Sequence, residues 1–187
     1  MGEQPVQLSD GLVTLRAWRS GDAPAVFAAC QDGLIARFIP IPQPYTMGTA
    51  RGFVARRRAD WDSDDERSFA ITDAATGEVL GAIARHQRAG HRAEIGYWLA
   101  PGARGRGIAT RALRLISDWS MDVTGLLRLE LFTHPENRAS QAVAGRAGFT
   151  FEGVRRAWDT DRDGNPEDAM FYVLLRNAPS AGRRRRP

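Results

Sequence analysis

Glu94-Ile95-Gly96-Tyr97-Trp98-Leu99-Ala100-Pro101-Gly102-Ala103-Arg104-Gly105-Arg106-Gly107-Ile108-Ala109-Thr110-Arg111-Ala112 is the segment on which the reading of this chain turns. Glu94–Leu99 reads as a strand, stopped by Pro101-Gly102. From Gly107 to about Val123, Ile108, Leu113, Leu115, Ile116 and Trp119 fit a helix laid on a sheet. Between them, glycines let the backbone turn tightly and aim consecutive N–H groups at one point. The helix that follows adds unpaired amides and the positive end of its dipole. By chemistry alone the turn is either a cradle for a pyrophosphate, with Arg104 and Arg106 adding charge, or a helix cap that binds nothing.

A dinucleotide fingerprint does not fit. It needs Gly-x-Gly-x-x-Gly after a first strand and an acidic residue about 20 positions on. Here the third glycine is missing and the turn lies in mid-chain.

Working outward, Leu12–Arg16 alternates and reads as a strand. Asp22 before Ala23-Pro24 reads as the cap of a helix running to about Gln31. The prolines at 40, 42 and 44 require an extended loop. A second helix starts near Thr46 and carries Phe53, Val54 and Trp61 on one face. Ser68–Thr72 and Glu78–Arg85 flank the turn Asp73–Gly77 as a hairpin. Beyond the central helix, Leu126–Phe132 reads as a strand and Ala139–Ala147 as a helix stopped by Gly148. Phe149–Val154 and Ala169–Leu175 are two last strands joined across Asp161–Pro166. This mixed order implies an α/β fold with a partly antiparallel sheet rather than a doubly wound one.

At 187 residues the chain suits one domain, 1–177, followed by an arginine-rich tail, 178–187, expected to be disordered. All 26 basic residues are arginine, which excludes a Walker-type phosphate loop and a Schiff-base lysine. The net charge of +4 equals the contribution of Arg183–Arg186, so the body is near neutral and nucleic acid is an unlikely partner. One cysteine, Cys30, excludes an intrachain disulfide and reads as a small buried thiol. His86, His91 and His134 lack the spacing of a zinc site, so no metal is expected. No apolar run approaches the ~20 residues that span a bilayer, and no secretory signal is seen, so the expected location is cytoplasmic.

Arg104-x-x-Gly107-x-Ala109 after a strand resembles the Arg/Gln-x-x-Gly-x-Gly/Ala signature of the GNAT superfamily of N-acetyltransferases. Ala93-Glu-Ile-Gly-Tyr-Trp-Leu99, Asn137-Arg-Ala-Ser140 and Ala147-Gly-Phe149 with Glu152-Gly153 resemble its RimJ/RimL branch, which is associated with ribosomal-protein N-termini. The likeness covers about Leu12 to Arg176. It implies a GNAT-like, mostly antiparallel central sheet flanked by helices, with a splayed strand pair at the acetyl-CoA site.

The resemblance further implies site roles. Trp98, Leu99 and Ala100 would lie against the pantetheine arm. Arg104, Gly105, Arg106, Gly107, Ala109 and Thr110 would surround the pyrophosphate, mainly through backbone amides. Asn137 would stand near the pantetheine, where it equally suits a helix cap, and Ser140 near the thioester sulfur. Glu94 and Glu130 match positions used as the base in different relatives, with Glu94 slightly preferred; either could equally face solvent or pair an arginine. The tyrosine many relatives use as acid falls at Ala144 here, which leaves Ser140 or water. The acceptor would be a primary amine, on a protein N-terminus or a small molecule, lined by Pro40–Tyr45, Trp61 and the acidic segment Trp158–Asp168. A non-catalytic acyl-CoA sensor is the alternative, and a homodimer stays open.

Overall fold

The structure, a computed structural model, describes residues 6–59 and 66–176. Trp61 and the arginine tail lie outside them. The strands are β1 (Leu8–Ser9), β2 (Val13–Arg16), β3 (Glu66–Asp73), β4 (Val79–Ala89), β5 (Arg92–Leu99), β6 (Arg128–Thr133), β7 (Thr150–Thr160) and β8 (Pro166–Leu175). The helices are α1 (Ala23–Ala29), α2 (Gly33–Phe38), α3 (Met47–Ala59), α4 (Ile108–Thr124) and α5 (Arg138–Arg146). The strands form one sheet in the order β1-β2-β3-β4-β5-β6-β8-β7.

Every neighbouring pair is antiparallel except β5 and β6, which run parallel because α4 crosses between them. Alternation sorts side chains onto two faces. Phe69, Ile71, Ile83, Ile95, Leu129 and Leu131 pack under α4 and α5. Ala70, Ala82 and the half-buried Trp98 pack against α1 and α3 on the opposite face.

Local signals explain most boundaries. Along α4, Ile108, Ala112, Leu113 and Ile116 return to one buried stripe, and Gly125 ends the helix at φ 71°. Asn137 caps α5 by accepting from the Ser140 amide at 3.1 Å. Asp161 accepts from the amides of Asp163 and Asn165 at 2.9 and 2.8 Å, closing the β7–β8 turn.

Two local expectations change. Asp22 precedes α1 but does not cap it with its side chain. Its carboxylate is held by both terminal nitrogens of Arg16, at 2.8 and 2.9 Å, in a buried ion pair. The region read as one helix and a loop also contains a further helix, α2. Asp32 caps it through Leu34 and Ile35, but six residues are too few to show a periodicity.

Candidate functional site

The parallel pairing of β5 and β6 covers only Arg92–Glu94 against Arg128–Glu130. Beyond Glu94 and Glu130 the strands part, leaving Ile95–Leu99 paired only with β4 and Leu131–Thr133 only with β8. On β5 the Ala100 amide donates to the Leu80 carbonyl at 2.9 Å. Strand alternation then turns the backbone groups of Trp98 toward β4 and those of Tyr97 and Leu99 into the gap. Of the three residues expected along this wall, Leu99 alone presents its backbone to the opening. An extended, amide-bearing ligand could complete this edge as a missing strand would.

The gap leads to the glycine turn. Gly105 and Gly107 both take the left-handed conformation, at φ 74° and 77°, which bends the turn so that successive amides converge. Among the described residues, the amides of Gly105, Arg106 and Gly107 meet no acceptor, and no side chain caps α4. Unpaired amides at a helix N-terminus form an anion site. A cavity of about 720 Å³ opens beside it, lined by Gly105, Gly107, Thr110, Arg111, Arg114 and Arg146 among others. Ala109 lies buried in the first turn of α4.

The two turn arginines differ. Arg106 is half exposed and only loosely paired with Asp73, at 3.9 Å. The guanidinium of Arg104, which the turn chemistry offered as added charge, donates to Asp32 at 2.6 Å and to the Leu99 carbonyl at 3.2 Å. A fork of donors fits a carboxylate better than open solvent, so its guanidinium fastens the turn to the cap of α2.

Glu94 and Glu130 are partners on the last rung before the strands part. Both lie on the α1/α3 face, opposite the Leu129 and Leu131 side chains. Glu130 is 7% exposed, and both its oxygens are bound: Arg92 reaches each at 3.3 Å and Arg128 Nε reaches Oε1 at 2.7 Å. Arg128 also pairs with Glu152, which with Glu130 drives its pKa upward against burial. Glu94 is 17% exposed, and Arg88 engages only its Oε2, at 2.8 and 2.9 Å. Among the described residues Oε1 meets no donor, so a lone pair stays open at the fork.

Ser140 lies on the other face, at the start of α5. Its hydroxyl accepts from the Tyr97 phenol at 3.0 Å. Burial pushes the Tyr97 pKa up, with the Ser140 contact a smaller opposing effect, so the phenol keeps its proton as a donor. Ala144, where the family resemblance would put a tyrosine, is fully buried. A tyrosine therefore reaches Ser140 from the strand instead of the helix. Sequence reading missed Tyr97 because alternation with Ile95 and Leu99 marks it as an ordinary core residue.

On the α1/α3 side, Arg162 in the β7–β8 turn donates to the carbonyls of Ala36 and Ile41, at 2.6 and 3.3 Å. The hairpin thus meets α2 and the loop after it. The acidic residues of the hairpin are largely engaged. Asp161 closes its own turn, Asp168 accepts from the Ala157 amide at 3.0 Å, and Glu167 lies 3.1 Å from His134. Arg155 covers the Trp158 and Phe171 rings, 4.6 and 3.9 Å from their centres. Among the described residues no group of His, Cys, Asp or Glu is placed to hold a metal, and no helix is long and apolar enough to cross a membrane.

Comparison with known proteins agrees with this geometry. Residues 13–150 match the family model described as the acetyltransferase (GNAT) domain. The probable N-acetyltransferase YjcK of Bacillus subtilis is 32% identical over 134 residues, 70% of this chain and 74% of its own. RimJ of Mycobacterium smegmatis, solved with a CoA disulfide, superposes with a TM-score of 0.78 at 26% identity, covering 91% of this chain and 85% of its own. RimL, solved with coenzyme A, shares the fold, with a TM-score of 0.80 at 22% identity over 94% of this chain and 100% of its own. The parted strands, the amide cradle and the family match lead to one assignment: the chain belongs to the GNAT acetyltransferases and is an N-acetyltransferase that uses acetyl-CoA.

Proposed function

We propose that the acetyl group passes to a primary amine presented on the α1/α3 face at the fork of β5 and β6, and that a peptide or protein N-terminus is the preferred acceptor. The unpaired amides of Gly105–Gly107 and the first turn of α4, around Ala109 and Thr110, hold the pyrophosphate, with Arg106 beside them. The backbone of Leu99 and the side-chain nitrogen of Asn137, which has no partner among the described residues, bind the pantetheine arm. Glu94, with its open Oε1, receives the amine proton directly or through water. Glu130, bound on both oxygens, holds the arginines that define the fork. The Tyr97–Ser140 pair donates toward the departing thiolate.

One observation carries the acceptor reading: most carboxylates of the β7–β8 hairpin, Asp163 excepted, already accept hydrogen bonds within the protein. A polyamine or aminoglycoside needs several free carboxylates or an open aromatic face. Here Asp161, Glu167 and Asp168 have partners, and Arg155 occupies the Trp158 and Phe171 rings. A singly charged N-terminus makes no such demand.

The test is calorimetry with acetyl-CoA followed by a thiol-release screen of N-terminal peptides, spermidine and aminoglycosides. Binding below about 1 mM and turnover of peptides are expected. Faster turnover of spermidine or an aminoglycoside would reverse the acceptor assignment. Acetyl-CoA binding with no amine turned over would favour an acyl-CoA sensor.

Tyr97→Phe isolates the donor pair. The ring stays packed while the phenol proton is lost, so stability should fall by about 1 kcal/mol at most. The rate should fall about tenfold or more, with the affinity for acetyl-CoA nearly unchanged. An unaltered rate would show that water protonates the thiolate.

A further inference from the structure

The rung that ends in Glu94 continues across the sheet. Glu66 on β3 stands opposite His86 on β4, and His86 stands opposite Glu94 on β5. His86 lies on the α1/α3 face with Glu94, and directly opposed antiparallel residues have their Cβ atoms about 5 Å apart. Its Nδ1 is 3.5 Å from Oε2 of Glu66. Glu66 is anchored in turn by Arg57 of α3. Burial pushes the Glu66 pKa up, but the contacts from His86 and Arg57 outweigh it and bring it down to about 2, so the carboxylate is charged throughout the working range.

The other ring nitrogen turns toward β5. Gly96 shares the face of Glu94 and Trp98, and a Cβ built there would lie 4.0 Å from His86 Nε2. The absent side chain leaves a slot floored by backbone, with Glu94 at one end, Trp98 at the other and the His86 edge along its side. Among the described residues, Nε2 has no protein partner. The charged groups beside the imidazole are Glu66 on β3, Arg57 on α3, Arg88 on its own strand and Glu94 on β5.

We propose that His86 is the final acceptor of the amine proton that Glu94 receives, with Glu66 as its positioning residue. This rests on acetyl transfer to an amine at the Glu94 fork. The acceptor arrives as an ammonium ion and gives one proton to Glu94, which relays it to His86 Nε2. The neutral nitrogen then forms the C–N bond as the thioester C–S bond breaks, and that electron pair leaves on sulfur. The second nitrogen proton passes to the emptied Glu94, and the thiolate takes one from the Tyr97–Ser140 side, which solvent restores. Imidazole exchanges a proton near neutral pH. Glu66 stabilises the imidazolium and fixes which nitrogen faces the slot.

The test compares the full-length protein with its His86→Asn, Glu66→Gln and Glu94→Gln variants, all loaded with acetyl-CoA. The acceptor is a peptide turned over in the thiol-release screen, or spermidine if no peptide is. His86→Asn should lower kcat about 30-fold or more, remove the acidic limb of its pH profile and be partly rescued by added imidazole. Acetyl-CoA affinity should stay unchanged, which shows that the variant is folded. Losing the Glu66 charge destabilises the imidazolium, so Glu66→Gln should shift both the acidic limb and the His86 midpoint, followed by 15N NMR of the imidazoles, to lower pH. A His86→Asn variant that keeps its rate and limb removes His86 while leaving Glu94 in place. A silent Glu94→Gln beside a strong His86→Asn removes Glu94 alone. Failure of the wild type to acetylate any amine removes transfer itself, and an unmoved NMR midpoint in Glu66→Gln removes the dyad.

Discussion

Glu94→Gln is expected to lower kcat by about 10²- to 10⁴-fold at saturating acetyl-CoA, the range for loss of a positioned acid–base group. The substitution keeps the shape and the carbonyl oxygen that Arg88 can bind, but removes the charge and the free carboxylate lone pair. Glu94 occupies the last rung at which β5 and β6 are joined, so any amine attacking a thioester in the gap passes beside it. Its Oε2 is held by Arg88, while Oε1 is open among the described residues. The affinity for acetyl-CoA should persist, since the amide cradle lies on the far side of Leu99. Measured across about pH 6 to pH 9, an unchanged rate would take Glu94 out of the mechanism. The parallel substitution Glu130→Gln separates the two carboxylates. Its cost should fall on stability, because it disturbs a nearly buried group bound by Arg92 and Arg128.

Gly81→Ala should give the largest loss of stability, about 3 kcal/mol or more, at the upper end of the cost of overpacking. A Cβ at this position would stand 2.2 Å from the Trp98 carbonyl oxygen, 2.8 Å from Leu99 Cδ2 and 3.1 Å from Leu99 Cα. Backbone cannot swing aside as a side chain can, so β4 or β5 must move. The part of β5 displaced is the wall of the gap, whose Leu99 backbone faces the ligand. Acetyl-CoA affinity and melting temperature should therefore fall together, the latter by roughly 6–12 °C for a domain of this size. Gly145→Ala is the control: it lies within α5 with open space around a built Cβ, and should be neutral or slightly stabilising. A Gly81→Ala protein that melts and binds like wild type would mean that the two strands are not as closely apposed as described.

Much of this is legible in the sequence. The Arg104–Ala109 turn announces its own geometry, since glycines spaced by two before an amphipathic helix specify both the bend and the helix start. Asn137 and Gly148 bracket α5, and Asp161–Pro166 marks the last hairpin, each through residues a few positions apart. The fate of Arg104 was not legible. Its partner Asp32 lies 72 residues away, and only packing shows that it binds the cap of α2 rather than facing the cradle. Asp22 misled for a similar reason, because a nearby arginine competed successfully for its carboxylate.

Local order along the chain determined the mixed sheet, the crossover helix, the glycine cradle and the family to which they belong, because turn chemistry and periodicity are properties of adjacent residues. Tertiary structure alone decided that Tyr97 meets Ser140, that Glu66, His86, Glu94 and Glu130 share one rung, and that Gly81 leaves room for the wall of the gap. Those facts depend on strand register and on how far two strands part. Both are set by contacts between segments distant in sequence, where a slip of one residue would send every side chain to the opposite face.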